Sequence, residues 1–249
     1  MEGWFVLKNM TDIKSTNFSP SISIIVLTLN EARNVGLAVN TIIKSTEKHG
    51  IKDYEIIIVD GGSIDSTQQI IGELALNNNH IKGIYNHGKM GVGHDFKSGL
   101  AHASKEYVGW FPGDDETLPE TIDAILEQIG KTDIIIPYTV NIQVRSLYRR
   151  LLSSTYTLMF NILFGLRLKY FNGPCFFRHD LLKTIIMSTD SPAFMAEILI
   201  QLIKRNNASY LEVPMYIRAR DYGKTNVLKW KNVYFVGKTM ISLIRKIYF

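Results

Sequence analysis

The chain has 249 residues, a length that suits one α/β domain with a sizeable core. Its formal net charge is +5, and its single cysteine rules out an internal disulfide or a cysteine-based zinc site within these residues. No run of 18 uninterrupted apolar residues occurs, so the sequence predicts no transmembrane helix. Residues 1–20 mix charged and apolar side chains without the order of a signal peptide, so we expect a protein of the reducing cytosol.

The first half of the sequence alternates short apolar runs with helical patterns. Residues 21–27 and 54–59 are predicted strands, and the helical patterns 34–47 and 66–76 follow them. Residues 81–85, 92–103 and 107–111 continue as strand, helix and strand, and 119–129 and 133–137 add a helix and a strand. Repeated β-α-β units predict an α/β fold with a mostly parallel sheet flanked by helices.

The second half is more basic and more aromatic. Neither residues 134–179 nor residues 224–249 contain Asp or Glu. We predict an amphipathic helix over 146–165, a helix over 193–206, a strand over 209–213 and a basic C-terminal helix. Cations interleaved with large apolar residues favour an anionic membrane surface, where each contributes about 1 kcal/mol. Nucleic acid is disfavoured as a partner because no recognised nucleic-acid motif accompanies these residues. For residues 146–165, the alternative to a helix at the membrane surface is a helix buried in the core.

Three polar turns directly follow predicted strands. They are Thr28-Leu29-Asn30-Glu31, Asp60-Gly61-Gly62-Ser63 and Gly113-Asp114-Asp115-Glu116. The carboxyl ends of parallel strands meet at one edge of a sheet, so we expect these turns to form a nucleotide pocket there. Acidic oxygens at that edge suit Mg²⁺ or Mn²⁺ carrying a diphosphate. Each turn taken alone is equally compatible with an ordinary helix cap.

A glycine-rich turn, Gly88-Lys89-Met90-Gly91-Val92-Gly93, opens the third predicted helix. Its backbone amides are expected to hold phosphate at the helix N-terminus. The pattern differs from the dinucleotide fingerprint G-x-G-x-x-G, because the third glycine would fall on Phe96. A Rossmann dehydrogenase is therefore disfavoured, although Asp114 lies at about the distance downstream that such an enzyme requires.

In this order the motifs resemble glycosyltransferase family 2, with the GT-A fold, and within it the polyprenyl-phosphate (dolichyl-phosphate) mannosyl- and glucosyltransferases. The resemblance extends through residues 171–178, Glu212-Val213-Pro214 and residues 218–224, and so covers about residues 21–235. It implies an N-terminal extension over 1–20, a GT-A catalytic domain over 21–226 and a basic amphipathic helix over 227–249. The implied activity is inverting transfer of a sugar from a UDP- or GDP-sugar to a polyprenyl-phosphate-type lipid, at the cytoplasmic face of the membrane.

The resemblance also implies roles for individual residues. The family's acidic motif often reads Asp-x-Asp, and its first Asp falls on Pro112 here, so that metal ligation is assigned to Asp114 and Glu116 with Asp115 nearby. The predicted donor-binding residues are Thr28, Asn30, Glu31, Asp60, Gly62, Lys89 and Gly91. The loss of the first Asp leaves a catalytically silent nucleotide-sugar or membrane-binding module as an alternative.

The nature of the acceptor decides which further groups catalysis needs. A lipid phosphate is already an anion, so transfer needs a metal and cations but no strong base. The candidate cations are Arg145, Arg149, Arg150, Arg218, Arg220 and Lys224. A saccharide or glycolipid hydroxyl, as in surface polysaccharide synthesis, would need a general base, and Glu197 is then the candidate. The predicted catalytic residues are thus Asp114, Asp115 and Glu197.

Overall fold

The structure, a computed structural model, describes residues 20–218 and 230–249, with side chains from residue 235 onward in the second range. The strands are β1 (Ile22–Thr28), β2 (Tyr54–Asp60), β3 (Ile81–Tyr85), β4 (Tyr107–Pro112), β5 (Ile134–Thr139), β6 (Phe176–Arg178) and β7 (Tyr210–Met215). The helices are α1 (Val35–Lys48), α2 (Thr67–Asn77), α3 (Val92–Leu100), α4 (Pro119–Leu126), α5 (Leu147–Phe164), α6 (His179–Leu182), α7 (Phe194–Arg205) and α8 (Trp230–Tyr248).

All seven strands form one sheet in the order β3-β2-β1-β4-β6-β5-β7. The neighbours among β1 to β4 are parallel, as the alternation of strands and helices predicts. The short β6 runs antiparallel between β4 and β5, and β7 is parallel to β5. The predicted α/β class with a mostly parallel sheet is therefore confirmed. The antiparallel pairs are those that β6 forms with β4 and β5.

The register of the central strands sets the position of the polar turns. Thr28 pairs with Asp60 across β1 and β2, and Leu27 pairs with Pro112 across β1 and β4. Every residue of β1 is buried because helices cover both faces of the sheet. The three turns that follow these strands therefore leave the core at the same edge.

Helices α5 and α8 lie side by side on the second half of the fold. Phe160 and Phe164 of α5 and Leu243 of α8 are fully buried in the core. The Tyr248 hydroxyl donates to the Leu163 carbonyl at 2.8 Å. The opposite face of α5 exposes large apolar side chains, which are Leu147, Leu151, Leu158 and Ile162. Both helices are amphipathic, and none in the described ranges combines the length and apolar character needed to cross a bilayer.

The domain division proposed from the sequence is only partly visible. Nearly all of the predicted N-terminal extension, and the boundary at residues 226–227, lie outside the described residues. Where the structure does describe α8, its Leu243 belongs to the same core cluster as α5 and α7. The C-terminal helix thus packs as part of the domain.

Candidate active site

A cleft with a volume of ≈ 1570 Å³ opens at the carboxyl ends of β1, β2 and β4. One side, which we call the strand-end wall, comprises residues 27–34, 61, 65–66 and 112–114. The other side, the α7–α8 wall, comprises residues 188–192, before α7, together with Phe235, Lys238, Thr239 and Ser242 of α8. Residues 89–92, Asp95 and Trp110 complete the lining among the described residues.

The turns after β1 and β2 are linked to each other by hydrogen bonds. The backbone amide of Asn30 donates to Ser63 Oγ at 2.7 Å, and Asn30 Oδ1 accepts from the Ile64 amide at 2.9 Å. Asn30 has φ 58°, a left-handed conformation that Asn tolerates better than most residues. The Glu31 amide donates to Thr67 Oγ1 at 2.9 Å. Both turns therefore act as one preorganised unit that lines the cleft.

Asp60 is fully buried at the base of this unit. Its Oδ2 accepts from the amides of Gly62 and Ser63 at 3.1 and 3.0 Å and from Gln68 Nε2 at 2.8 Å. Its Oδ1 is buried without a hydrogen-bond partner in the part of the chain that the structure describes. An unpaired buried carboxylate oxygen costs stability, so it fits a position that a ligand N–H occupies. Asp60 does not itself line the cleft surface.

Asp95 is a carboxylate of the cleft that the sequence did not single out. Its Oδ1 accepts from Asn86 Nδ2 at 2.7 Å. Burial raises the pKa of Asp95, and the nearby charge of Asp60 adds to this effect. Its position one turn after Gly91, on a helix that starts at the strand-end edge, is the signal that could have identified it.

The glycine-rich turn was predicted to bind phosphate, but in the structure its glycines contact the backbone of Asp190. Gly91 has φ 112°, and a Cβ there would lie 2.5 Å from the Asp190 carbonyl oxygen. The Gly93 amide donates to that same oxygen at 3.1 Å, so it is already used inside the protein. Because Gly91 and Gly93 carry no Cβ, the backbone of residues 189–190 on the α7–α8 wall can approach them this closely. Lys89 and Gly91 do line the cleft, whereas Gly62 packs beneath it against Gly88.

The acidic turn after β4 points its carboxylates in different directions. Asp114 lines the cleft, and its Oδ1 accepts from the Glu116 amide at 3.1 Å. Asp115 has φ 56° and is buried away from the cleft, where its Oδ2 accepts from Arg218 Nη1 at 2.6 Å. Burial raises the pKa of Asp115, although the Arg218 charge opposes the shift. Glu116 is not among the lining residues. Of the three predicted acids, the structure brings Asp114 alone to the cleft.

This donor set is compatible with a divalent metal. Within residues 20–218 and 230–249, no group of three or more His, Cys, Asp or Glu could hold a metal ion. Mg²⁺ and Mn²⁺ nevertheless bind through one or two carboxylates when a diphosphate and water supply the other oxygens. Asp114 is positioned to be that single protein carboxylate.

The predicted phosphate-binding cations lie elsewhere. Arg145 Nη1 donates to Tyr170 Oη at 3.1 Å, and Arg218 pairs with Asp115. Neither these two arginines nor Arg149 and Arg150 line the cleft, and Arg220 and Lys224 lie outside the described residues. Among the described residues, the cations that line it are Arg33, Lys89 and Lys238. Sequence reasoning missed Arg33 and Lys238, because a basic residue type does not show which face of its helix or turn it occupies.

Glu197 is fully buried in α7, and the structure does not bring it to the cleft. Its Oε2 accepts from the amides of Ser188 and Thr189, each at 3.0 Å. Its Oε1 accepts from Lys246 Nζ of α8 at 2.9 Å. A carboxylate held by this many donors and shielded from substrate is suited to holding the α7–α8 wall together, so the geometry gives no support to its predicted role as a general base.

The sequence profile of glycosyl transferase family 2 matches residues 23–196 of the chain. The chain belongs to this family. An uncharacterized glycosyltransferase of Nostoc sp. is 32% identical over 115 residues, which is 46% of this chain and 34% of the relative. A GalNAc(5)-diNAcBac-PP-undecaprenol β-1,3-glucosyltransferase of Campylobacter jejuni is 31% identical over 113 residues, 45% of this chain and 35% of the relative. The chain thus matches about a third of the length of these curated relatives.

Solved structures match over a larger share of the family 2 chain. Glucosyl-3-phosphoglycerate synthase from Mycobacterium tuberculosis, in complex with UDP, superimposes with a TM-score of 0.70 at 18% identity, covering 91% of this chain and 80% of that one. TarS residues 1–349 from S. aureus give a TM-score of 0.59 at 21% identity, covering 92% and 66%. The expected GT-A fold is confirmed by these similarities.

Proposed function

We propose that the chain is an inverting, metal-dependent glycosyltransferase that moves a sugar from a nucleotide-diphosphate sugar to a polyprenyl-phosphate-type acceptor. The observation that carries this proposal is the convergence at one cleft of the cross-linked turns after β1 and β2, the unsatisfied Oδ1 of Asp60 beneath them, and Asp114. The name of the Campylobacter relative describes an undecaprenol-linked acceptor, and the Mycobacterium synthase was solved with Mn²⁺ and UDP. The first supports a lipid-linked acceptor, although its β-1,3 linkage joins the sugar to a saccharide hydroxyl, as in the glycolipid alternative, and the second supports the use of a divalent metal and a UDP-sugar.

Residues on, beneath and beside the strand-end wall would bind different parts of the donor. Asp60, with Thr28 and Asn30, would bind and orient the nucleoside, because these groups end neighbouring strands. Asp114 would hold a divalent metal, which when bound neutralises charge on the leaving diphosphate. Arg33 and Lys89 add positive charge to the same cleft. Preorganised charge of this kind stabilises the transition state without reorganisation during the reaction.

The proposed reaction needs no general base. An anionic oxygen of the acceptor phosphate attacks the anomeric carbon as the bond from that carbon to the diphosphate oxygen breaks. The electron pair leaves on the nucleoside diphosphate, and the configuration at the anomeric carbon inverts. Since no proton is removed from the acceptor, the burial of Glu197 away from the cleft is compatible with this chemistry.

The exposed faces of α5 and α8 support a peripheral position on an anionic, cytoplasmic membrane surface. The exposed apolar residues of α5 are Leu147, Leu151, Leu158 and Ile162, and the partly exposed Arg149 and Arg150 lie at the start of this helix. α8 exposes Phe235 and Ile241. Apolar faces with flanking cations bind anionic bilayers. α8 also lines the cleft, so docking of this surface would bring the acceptor's head group near the donor.

Transfer assays test the proposed activity directly. UDP- and GDP-sugars are incubated with Mn²⁺, Mg²⁺ or EDTA and with polyprenyl phosphate, a neutral polyprenol or a glycolipid. We expect metal-dependent transfer to the phosphate acceptor. Transfer to the neutral hydroxyl acceptor alone would replace the proposal with the polysaccharide or glycolipid alternative. Binding without any transfer would favour a silent module.

Flotation on anionic liposomes tests the membrane surface separately. Attraction between cations and anionic lipid is screened over about 10 Å at 0.1 M ionic strength, so binding should weaken as salt increases. Arg149→Ala with Arg150→Ala should reduce flotation and leave donor binding unchanged. Failure of the unmodified protein to float at low salt would contradict membrane docking.

A further inference from the structure

We propose that Lys238 of α8 binds the phosphate of the acceptor, and that the buried Glu197–Lys246 pair positions it. This inference rests on the proposed function and deepens it. It assigns a cation to the acceptor phosphate. The described arginines that were predicted for this role do not line the cleft, whereas Lys238 does.

One face of α8 lines the cleft. Phe235, Lys238, Thr239 and Ser242 follow one another at spacings of three, one and three residues, which places them on one side of an α-helix. Lys246 lies one turn beyond Ser242 on the same side and reaches Glu197. The face that supplies the cleft residues is thus continuous with the face that joins α8 to α7.

The charge on the α7–α8 wall leaves Lys238 as its uncompensated cation. In the part of the chain whose side chains are described, the charged residues that line the cleft on this wall are Asp190 and Lys238. Asp190 forms an ion pair with Lys97 Nζ at 2.7 Å, whereas the described parts of the chain show no ion pair for Lys238. Ser242 lies one turn from Lys238 on the cleft-lining face. An ammonium group with a neighbouring hydroxyl is a suitable site for a phosphate monoester.

The position of Lys238 favours the acceptor over the donor. The residues proposed to hold the nucleoside and the metal belong to the strand-end wall or, in the case of Asp60, lie beneath it, and Arg33 and Lys89 supply cations apart from α8. Displacement with inversion requires the incoming oxygen to approach from the side opposite the leaving diphosphate. The α7–α8 wall lines the same cleft with residues that come from elements other than the strand ends, so we assign the acceptor to it. Phe235 and Ile241, both exposed on α8, offer apolar surface for the lipid chain that follows the phosphate.

The rotation of α8 is fixed by contacts with the segment before α7. Lys246 Nζ lies 2.9 Å from both Glu197 Oε1 and Ser188 Oγ. Thr239, next to Lys238, donates from Oγ1 to Thr189 Oγ1 at 3.0 Å. Since Glu197 is fully buried and Lys246 largely so, the pair holds the helix face in place, and with it the direction of the Lys238 side chain.

Lys238→Ala tests phosphate binding in the full chain, with a short-chain prenyl phosphate in neutral detergent so that membrane docking does not contribute. We expect the KM for this acceptor to rise about 10- to 100-fold, as for loss of a hydrogen bond to a charged group, with kcat and donor Kd little changed. Lys238→Arg should restore most of the affinity. Arg245→Ala is the matched control, since it removes a cation from the exposed part of the same helix, outside the cleft.

The outcomes separate this inference from the proposed function. A Lys238→Ala protein that behaves like Arg245→Ala would overturn the inference while leaving the transferase intact. Weaker donor binding with an unchanged acceptor KM would overturn it too, by assigning Lys238 to the donor. No transfer by the unmodified protein to any phosphate acceptor would overturn both. A non-lipid phosphate monoester distinguishes the source: Lys238-dependent KM values with both acceptors support recognition of phosphate itself, and dependence with the prenyl phosphate alone supports a lipid site.

Lys246→Met tests the positioning part. We expect a higher acceptor KM with donor Kd unchanged, and Lys246→Arg, which retains the charge facing Glu197, should restore the acceptor KM. An unchanged acceptor KM in Lys246→Met, measured under conditions where the protein is folded, would contradict positioning by the pair.

Discussion

The two walls of the cleft are built in different ways. On the strand-end wall, each functional side chain lies within a few residues of a strand end, and hydrogen bonds between adjacent turns hold it, as for Asn30 with Ser63 and Ile64. On the α7–α8 wall, residues about fifty positions apart meet, namely Glu197 with Lys246 and Thr189 with Thr239. Local motifs thus form the donor side, and one buried ion pair holds the proposed acceptor side.

This difference predicts different responses to substitution. The strand-end wall distributes its contacts over many weak hydrogen bonds, so single changes should alter ligand binding more than folding. The α7–α8 wall depends on a charge buried without access to water, so loss of its partner should affect folding first. Five substitutions test the contrast, in order of decreasing expected change in free energy, and the last two, at Asp95 and Asp65, are small changes of opposite sign.

Lys246→Met should have the largest effect on stability. It leaves the fully buried Glu197 carboxylate without its cation, although the Ser188 and Thr189 donors remain. Removing one partner of a buried ion pair costs about 3 kcal/mol at the lower end of its range. Urea unfolding would measure the loss. Arg245→Met, an exposed change on the same helix, should stay within about 0.5 kcal/mol of the unmodified protein, and similar values for both variants would contradict the contrast.

Asp114→Asn should reduce metal-dependent donor affinity about 100-fold, at the upper end of the effects seen when groups near a metal are removed. Its side chain lines the cleft, so the free energy of unfolding should change little. Calorimetric titration of UDP- and GDP-sugars with Mn²⁺ and with EDTA measures the difference. Asp115→Asn is the neighbouring control, since this carboxylate faces Arg218. If Asp115→Asn has the larger effect on metal-dependent binding, the metal is assigned to the wrong carboxylate.

Asp60→Asn should weaken binding of the free nucleoside and of the intact donor by the same factor, about 10-fold, as for one net hydrogen bond to a charged group. The amide oxygen can still accept from Gly62 and Ser63, so the turn should keep its shape. Titration with nucleoside and with nucleotide sugar measures both constants. Asp60→Ala, which also removes that acceptor, should lose stability as well. Unchanged nucleoside affinity in Asp60→Asn would move the nucleoside site elsewhere.

Asp95→Asn should have the smallest effect, a modest gain in stability at neutral pH. Burial raises the pKa of Asp95 in the folded protein, so ionisation costs stability as pH rises from the ordinary value of 3.8 through the raised folded value. The amide removes this cost, so the two proteins should converge below about pH 4. Urea unfolding at both pH values provides the measurement.

Asp65→Asn should change stability in the opposite direction, although Asp65 lines the same cleft as Asp95. Burial acts to raise the pKa of Asp65, but hydrogen bonds from Thr67 and Ala32 outweigh it and lower the pKa. Its ionised form therefore stabilises the fold above pH 3.8, and the substitution should lower stability at neutral pH. A gain in both variants would show that the two carboxylates do not differ as described.

The sequence by itself determined the parallel part of the sheet and the edge at which the cleft opens. Alternating apolar runs and helical patterns dictate β-α-β units, and the turns that begin at Thr28 and Asp60 reach the same edge because parallel strands run in the same direction. The position of Asp114 after β4 follows for the same reason. These features depend on periodicity and on neighbours in sequence, which can be read without coordinates.

Only the tertiary structure decided what closes the cleft. Glu197, expected to act on substrate, lies in the core because the helix face that bears it packs against residues 188–189 and Lys246. Lys238 reaches the cleft because α8 returns to α7, whereas Arg145 turns to Tyr170. A charged residue type specifies the chemistry it can perform, but long-range packing, which pairs residues about fifty positions apart, decides where that chemistry takes place.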